Sequence, residues 1–155
     1  MEILFRRPEL DDRETILKHL SERRLRGCER TFANVYLWAR FYNEGWAEIE
    51  GTAVFRTGPE GAYSYTYPIG AGDRKKVVEL LMQDAQEKGY PFQLHALSTG
   101  EMNELESYFP GKFQPDTVGF SSFLPTINSM ISSTFVSSLW RVLIPHSLLE
   151  FGVGD

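Results

Sequence analysis

The segment whose residues most clearly indicate a binding function is Gly70-Ala71-Gly72, which lies directly before Asp73 and a predicted helix. Glycines allow a backbone to approach a phosphate closely, and the free amides at a helix start can bind the anion. Asp73 argues against this use, because its carboxylate lies where an anion would bind and can cap the helix itself. Gly70, Gly72 and Asp73 are therefore candidate residues for binding a phosphate-bearing cofactor, and a self-capped turn is the favoured alternative.

Side chains that could serve as nucleophile, base or metal ligand are few. Cys28 could pair with His19 or His95 as nucleophile and base, but no spacing connects them, and a packed thiol is favoured. His19, His95 and His146 are the three histidines and show no HExxH-like spacing, so we predict no metal site. The sequence therefore identifies no catalytic residue, and whether the chain is an enzyme stays open.

Charge and composition limit the classes of partner. The net charge of -5 argues against general nucleic-acid binding, although a basic run, diluted by Glu22 and Glu29, lies within residues 23–30. This run could meet a phosphate-bearing partner, but a solvated helix end is favoured. Its members are Arg23, Arg24, Arg26 and Arg30. We also expect no signal peptide and no transmembrane segment, and the single cysteine agrees with a cytoplasmic location.

Periodicity and capping residues predict a mixed α/β chain. Asp11 and Glu14 resemble a capping box, Thr31 is a candidate cap of the second helix, and Glu50-Gly51 is a hairpin signal. The expected elements are a strand over 2–5, helices over 11–27 and 32–42, strands over 46–49, 52–56 and 63–67, a helix over 73–88, a strand over 91–96, a helix from residue 99 or 100 to 108, and a strand from 113. The three strands after the second helix should be antiparallel.

The last 39 residues, 117–155, have a different composition. They contain three charged residues, Arg141, Glu150 and Asp155, whereas eleven are Ser or Thr. A packed helix would normally carry a charged outer face, which this tail lacks. One hypothesis is that the tail is translated out of frame or is poorly ordered, and the nucleotide sequence tests it. The alternative is a genuine short protein whose tail packs as a final strand or helix.

Three ordered segments resemble the phosphatidylglycerol lysyltransferase C-terminal-like family. The first runs from Cys28 to Trp38, the second joins Trp46 and the following hairpin to Tyr67-Pro68-Ile69-Gly70-Ala71-Gly72-Asp73, and the third is Phe109-Pro110-Gly111-Lys112-Phe113. Together they cover about residues 3–116. The resemblance implies a GNAT-like acyl-CoA N-acyltransferase fold over residues 1–116, with a central, mostly antiparallel sheet flanked by helices.

The resemblance also implies a role and a missing part. Family members usually carry two GNAT-like halves in tandem, and the lysyltransferases transfer an aminoacyl group from tRNA to a lipid. This chain resembles the first half, so acyl-CoA or aminoacyl-tRNA is an implied ligand, and a second half or self-association is an implied partnership. The chain departs from the pattern at Tyr67, where GNAT loops usually have Arg or Gln, and in its tail, where the family is basic.

Three functions follow from these observations. The first is a truncated GNAT-like domain that is inactive alone. The second is a stand-alone acyl-CoA-dependent N-acyltransferase that binds its cofactor at Gly70, Gly72 and Asp73. The third is a non-catalytic interaction module that binds through an aromatic face or through the tail. Tyr63, Tyr65 and Tyr67 share one face of the strand over 63–67, although packing in the core or on the sheet is favoured for them.

Overall fold

A tight hairpin organises the strands in the first part of the chain. The computed structural model describes residues 3–22, 31–116 and 140–143, and it has β1 at Gly45–Ile49 and β2 at Thr52–Thr57. These strands are antiparallel, with Ile49 opposite Thr52. Glu50 and Gly51 between them have φ values of 48° and 75°, as a type I′ turn requires. The predicted hairpin is confirmed.

Two shorter strands extend this sheet. β3, Ser64–Thr66, and β4, Ile69–Gly70, both pair with β2 in antiparallel register. Gly70 lies opposite Thr52, which brings the glycine-rich segment next to the hairpin turn. The predicted antiparallel arrangement of the three strands is therefore confirmed.

Three α-helices lie among the described residues of the N-terminal unit, which ends at Tyr90. They are α1, Arg13–Glu22, which follows a 3₁₀ turn at Leu10–Asp12, α2, Phe32–Trp38, and α3, Arg74–Lys88. The Thr31 hydroxyl accepts a hydrogen bond from the backbone N–H of Asn34, as predicted for a cap. Gly89 ends α3 in the left-handed conformation, at φ 75°, where its lack of a side chain avoids a steric penalty.

The start of the chain differs from the prediction. Of the strand expected over residues 2–5, the described residues 3–5 form no strand, and the next residue, Arg6, forms a single bridge with Trp46. The capping box involves Glu9 and Asp12, whereas Asp11 and Glu14 were expected to form it. Asp12 has a tertiary role that sequence spacing could not reveal, because its carboxylate forms an ion pair with Arg6 and accepts a hydrogen bond from Trp46 Nε1 at 3.2 Å.

The apolar core of the N-terminal unit lies where these elements meet. The side chains of Ile16 from α1 and Ala53 from β2 are fully buried. The remaining members of this cluster are Phe32, Val35, Trp46, Phe55 and Ile69. α2 ends at Trp38, earlier than the predicted Tyr42, and residues 39–43 form turns. Complete burial of large apolar side chains stabilises a fold by about 1.5–3 kcal/mol each.

A second compact unit begins at Pro91. It contains β5, Gln93–Leu97, α4, Thr99–Tyr108, and β6, Gln114–Asp116. β7, Trp140–Leu143, pairs in antiparallel register with both β5 and β6. This strand falls within the tail and agrees with the alternative that the tail contributes a final strand. The rest of the tail lies outside the described residues.

Capping residues fix the beginning of α4. The Ser98 hydroxyl accepts a hydrogen bond from the backbone N–H of Glu101, and the Glu101 carboxylate accepts one in return from the backbone N–H of Ser98. This capping box satisfies amides that the first helical turn leaves free.

The helices and strands described above make both units mixed α/β with antiparallel strand pairing. Among the described residues, no helix has the length and apolar character needed to cross a membrane.

Candidate functional site

The glycine-rich segment packs against the turn of the β1–β2 hairpin. A Cβ atom at Gly72 would lie 1.8 Å from the carbonyl oxygen of Glu50, and one at Gly70 would lie 2.6 Å from that of Gly51. Gly70 also has a φ of 143°, which is rarely accessible to other residues. Both glycines therefore allow two backbone segments to approach closely, and the second segment belongs to the protein itself.

Asp73 caps α3. Its Oδ1 accepts a hydrogen bond from the backbone N–H of Lys76 at 3.1 Å, which uses one of the amides that an anion would need. The Lys76 ammonium forms an ion pair with Glu50 at 2.9 Å, and that hydrogen bond raises the pKa of Lys76. The self-capped turn weighed as the alternative is therefore present, and phosphate binding at Gly70, Gly72 and Asp73 stays a prediction.

The first turn of α3 nevertheless carries an unusual charge pattern. Arg74, Lys75 and Lys76 occupy its first three positions, and this turn has no acidic residue. Cations at a helix N-terminus oppose the helix dipole, and they cost a few tenths of a kcal/mol to about 1 kcal/mol each. The pattern favours an anionic partner at this end of the helix, although Glu50 already neutralises Lys76.

His19 lies on the inner side of the same segment. The histidine is 3% exposed, its Nε2 is 2.9 Å from Glu48 Oε1, and its Nδ1 has no hydrogen-bond partner among the described residues. A Cβ atom at Gly70 would lie 2.9 Å from that Nδ1. His19 thus fills the space that the missing side chain of Gly70 leaves. Cys28, its candidate partner, lies outside the described residues.

The other candidate residues lie in the second unit or outside the described residues. His95 lies in β5, in the unit that begins at Pro91, and its side chain or backbone has an interaction partner there or elsewhere in the chain. His146 and the basic run over 23–30 lie outside the described residues. Within the described ranges 3–22, 31–116 and 140–143, no group of three His, Cys, Asp or Glu side chains could hold a metal ion.

A depression of about 390 Å³ lies along β1 and the N-terminal segment. Its lining combines apolar side chains with the carboxylates that contact His19 and Lys76. The lining residues are Ile3, Leu4, Arg6, Trp46, Ala47, Glu48, Ile49 and Glu50. The depression therefore connects the surroundings of the glycine-rich segment with the N-terminal segment.

A buried polar network lies inside the N-terminal unit. The Tyr65 and Tyr90 hydroxyls are in hydrogen-bond contact with each other, and both lie within hydrogen-bond distance of Asp84 Oδ2, at 3.2 and 3.4 Å. Because each hydroxyl has one proton, two protons serve these three contacts. Asp84 is 2% exposed, and its other oxygen pairs with Lys88 at 2.7 Å. Burial raises the pKa of both tyrosines, so the hydroxyls stay protonated and act as donors. The sequence analysis did not identify this network, and the available signal is the helical spacing of Asp84 from Val77, Leu80 and Leu81 in α3.

Glu44 should make stability depend on pH. Desolvation raises the pKa of this half-buried carboxyl from 4.5 to about 7. Because the folded protein holds this proton more tightly, stability should fall as pH rises from 4.5 to about 7. A tenfold difference in proton affinity corresponds to about 1.4 kcal/mol. With a discount for partial exposure, we expect Glu44→Gln to stabilise the protein by about 2 kcal/mol at about pH 8.

Urea unfolding of this variant and the wild type at about pH 4.5 and about pH 8 measures the effect. The two proteins should differ little at the lower pH, because the folded protein carries a neutral side chain in both cases. Glu60→Gln, on an exposed turn, is the matched control and should change stability little at either pH. An equal gain from Glu44→Gln at both pH values would contradict the assignment.

Comparison with known proteins gives one informative similarity. No protein-family profile matches the chain, and no curated protein matches it. A solved structure of a conserved protein of unknown function from Bacteroides thetaiotaomicron VPI-5482 is similar, with 28% sequence identity and a TM-score of 0.66. The similarity covers 74% of this chain and 39% of the other chain. The chain is thus a mixed α/β protein that corresponds to well under half of the solved chain it matches.

Proposed function

We propose that this chain is the first GNAT-like half of a tandem acyl- or aminoacyltransferase-like protein and is inactive alone. The observation that supports this proposal is the unequal coverage of the similar solved chain, in which the matched part is 39% of the length. The resemblance of residues 3–116 to the phosphatidylglycerol lysyltransferase C-terminal-like family, whose members carry two such halves, supplies the proposed activity.

The state of the glycine-rich segment also supports inactivity. Asp73 uses an amide of the α3 start, and Gly72 packs against the Glu50 carbonyl rather than lining an open cradle. A coenzyme A pyrophosphate at this point would meet the Asp73 carboxylate, and like charges at close range repel each other. We therefore expect the second half to supply the acyl or aminoacyl donor site.

Calorimetry with acetyl-coenzyme A tests the proposal against a stand-alone acyltransferase. We expect no saturable heat up to about 1 mM ligand, which corresponds to binding weaker than about 4 kcal/mol. Saturable binding that Lys75→Ala weakens, and that Lys112→Ala leaves unchanged, would favour the stand-alone enzyme. Lys112 is the matched control because it is a cation in the other unit.

The gene provides a second test. If the tail is out of frame, another frame after about codon 117 should encode a basic continuation followed by a second half. The restored protein should then transfer an acyl or aminoacyl group, whereas the 155-residue chain should not. The out-of-frame hypothesis fails if no other frame encodes such a continuation. The proposed activity fails if the protein extended in another frame is inactive.

An interaction module is the second candidate function, and an exposed aromatic surface favours it. This aromatic surface consists of Leu37, Trp38, Phe41 and Tyr42, with exposed fractions of 58%, 41%, 78% and 40%. The rings are in mutual contact, since the Trp38 centroid is 6.0 Å from that of Phe41 and 5.4 Å from that of Tyr42. Contiguous exposed apolar groups often mark a protein interface.

Sedimentation velocity tests this surface. If the chain associates with itself through the aromatic surface, the wild type should be a dimer at about 100 μM and Phe41→Ser should be shifted towards monomer. The reason is that removing an interface aromatic commonly costs more than about 1 kcal/mol of binding free energy. Leu10→Ser is the control, since Leu10 is 63% exposed and lies outside the aromatic surface. A wild-type protein that stays monomeric at this concentration would contradict self-association.

A further inference from the structure

Arg56 of β2 is held by two aromatic rings. Its guanidinium carbon lies 4.0 Å from the centre of the Tyr63 ring and 4.6 Å from that of Phe5. Contacts of this kind attract a cation to the ring faces. The Arg56 side chain therefore has a defined position even though it is only half-buried.

Arg56 differs from the paired cations near it in having no carboxylate partner. Arg6 pairs with Asp12 and Lys88 pairs with Asp84, but Arg56 forms no ion pair with any of the described residues. Its Nε is buried and has no hydrogen-bond partner there. Buried polar groups without partners are uncommon and costly, so this arrangement calls for an explanation.

The carboxylate network next to these rings cannot neutralise Arg56. One oxygen of Asp84 is taken by Lys88, and the other accepts from the Tyr65 and Tyr90 hydroxyls. The positive charge of Arg56 acts on Tyr90, where it opposes the rise in pKa that burial causes. Arg56 is thus close to the network but excluded from its ion pair.

The rings that hold Arg56 are themselves fixed. The Tyr63 ring meets the edge of Tyr90 at 5.6 Å, and the Phe5 ring packs on Tyr65 at the same centroid distance. Both tyrosine partners are buried and belong to the network. A guanidinium that is positioned before a ligand arrives loses less entropy when it binds, which increases affinity.

We propose that Arg56 binds the carboxylate of a small organic molecule through its terminal N–H groups. A guanidinium matches a carboxylate in planar, bidentate geometry, and a single unpaired cation balances a single negative charge. A phosphate dianion would call for a second cation, and Lys88, the nearest candidate in the network, is engaged by Asp84. The guanidinium covers the ring faces of Phe5 and Tyr63, so the remainder of the ligand would contact the outer edges of these half-buried rings.

Nuclear magnetic resonance of arginine side chains tests this site on the full chain. Sodium acetate and sodium benzoate are titrated at constant ionic strength, with sodium chloride and inorganic phosphate as comparison salts. The Arg56 Nε–Hε signal, assigned by its loss in Arg56→Lys, should shift saturably with a Kd in the millimolar range, with benzoate binding more tightly than acetate.

Variants separate binding from structure. Arg56→Gln should abolish a saturable carboxylate response of the neighbouring Tyr63 ring signals, and Arg56→Lys should weaken it about fivefold or more, because an ammonium cannot form the planar pair. Arg40→Gln, which removes another arginine that lies over a tyrosine ring, should leave the response unchanged. If Arg56→Gln does not fold, the wild-type titration and Arg56→Lys decide the outcome.

Three results would overturn the proposal. One is the absence of a saturable Arg56 shift up to about 100 mM acetate, a concentration far above any Kd in the expected range. Another is an equal response to chloride, which would show a general salt effect. The third is tighter binding of phosphate than of either carboxylate, which would contradict the argument from a single cation.

Discussion

Gly72→Ala is expected to lower the free energy of unfolding by about 3 kcal/mol or more, the largest effect we expect from adding one methyl group to this chain. The added Cβ would lie 1.8 Å from the Glu50 carbonyl oxygen and 2.9 Å from its carbonyl carbon. Both atoms belong to the backbone of the β1–β2 turn, so a side-chain rotation cannot relieve the clash. Either the hairpin turn or the start of α3 has to move.

Urea unfolding followed by the fluorescence of the buried Trp46 measures this effect. Gly100→Ala is the matched control, because an added Cβ at Gly100, within α4, meets no atom within 4 Å. That substitution should be neutral or stabilise the protein by up to about 1 kcal/mol. A loss below about 1 kcal/mol at Gly72 would show that the turn yields easily and that close packing does not explain the glycine.

The same pair of variants informs the role of the glycine-rich segment. A segment that is glycine-rich for packing should lose stability on substitution in the absence of any ligand. A segment that is glycine-rich for anion binding should lose affinity while its unfolding changes little. The contact between Gly72 and Glu50 leads us to expect the first result.

Asp84→Ala is expected to destabilise the protein by about 3 kcal/mol. The variant leaves the Tyr65 and Tyr90 hydroxyls without their shared acceptor, and it leaves Lys88 without its ion-pair partner. It also opens a small cavity beside side chains that are 0% and 7% exposed, those of Tyr65 and Tyr90. The hydroxyl proton that loses its carboxylate acceptor accounts for most of the expected loss, because Lys88 can turn into solvent.

Two further variants separate the contributions to this loss. Asp84→Asn keeps an acceptor and the volume of the side chain, so it should cost about half as much. Lys88→Ala removes a lysine that is one-third exposed and should cost about 1 kcal/mol or less. Thermal and urea unfolding rank the three variants by their loss of stability. A loss in Lys88→Ala as large as that in Asp84→Ala would contradict the assignment of the lost stability to the hydroxyls.

Local signals predicted the elements that depend on local geometry. Glu50-Gly51 predicted the β1–β2 turn, because positive φ values at both positions are easiest with glycine in the second. Asp73 and Gly89 predicted the two ends of α3, since capping involves only neighbouring backbone groups. The mixed α/β class with antiparallel strands followed from these elements, whereas the GNAT-like fold within that class remains a proposal.

Errors arose where a tertiary partner changed a local preference. Glu9 and Asp12 occupy the capping-box positions expected of Asp11 and Glu14, and Arg6 and Trp46 hold the Asp12 carboxylate. The expected strand over residues 2–5 does not form in the described residues 3–5, because Arg6 alone in the described N-terminal segment forms a β-bridge with β1, opposite Trp46. Neither partner lies close enough in sequence for spacing to reveal it.

What the sequence determined by itself is therefore the set of turns, caps and strand directions, since these depend on backbone conformations that a few adjacent residues fix. Only the tertiary structure decided that Gly72 faces the Glu50 carbonyl, that Asp84 accepts from two tyrosines, and that Arg56 lies over two rings without an ion-pair partner among the described residues. The physical reason is that such contacts join residues far apart in the chain, and their energies depend on burial and distance, which a one-dimensional pattern does not contain.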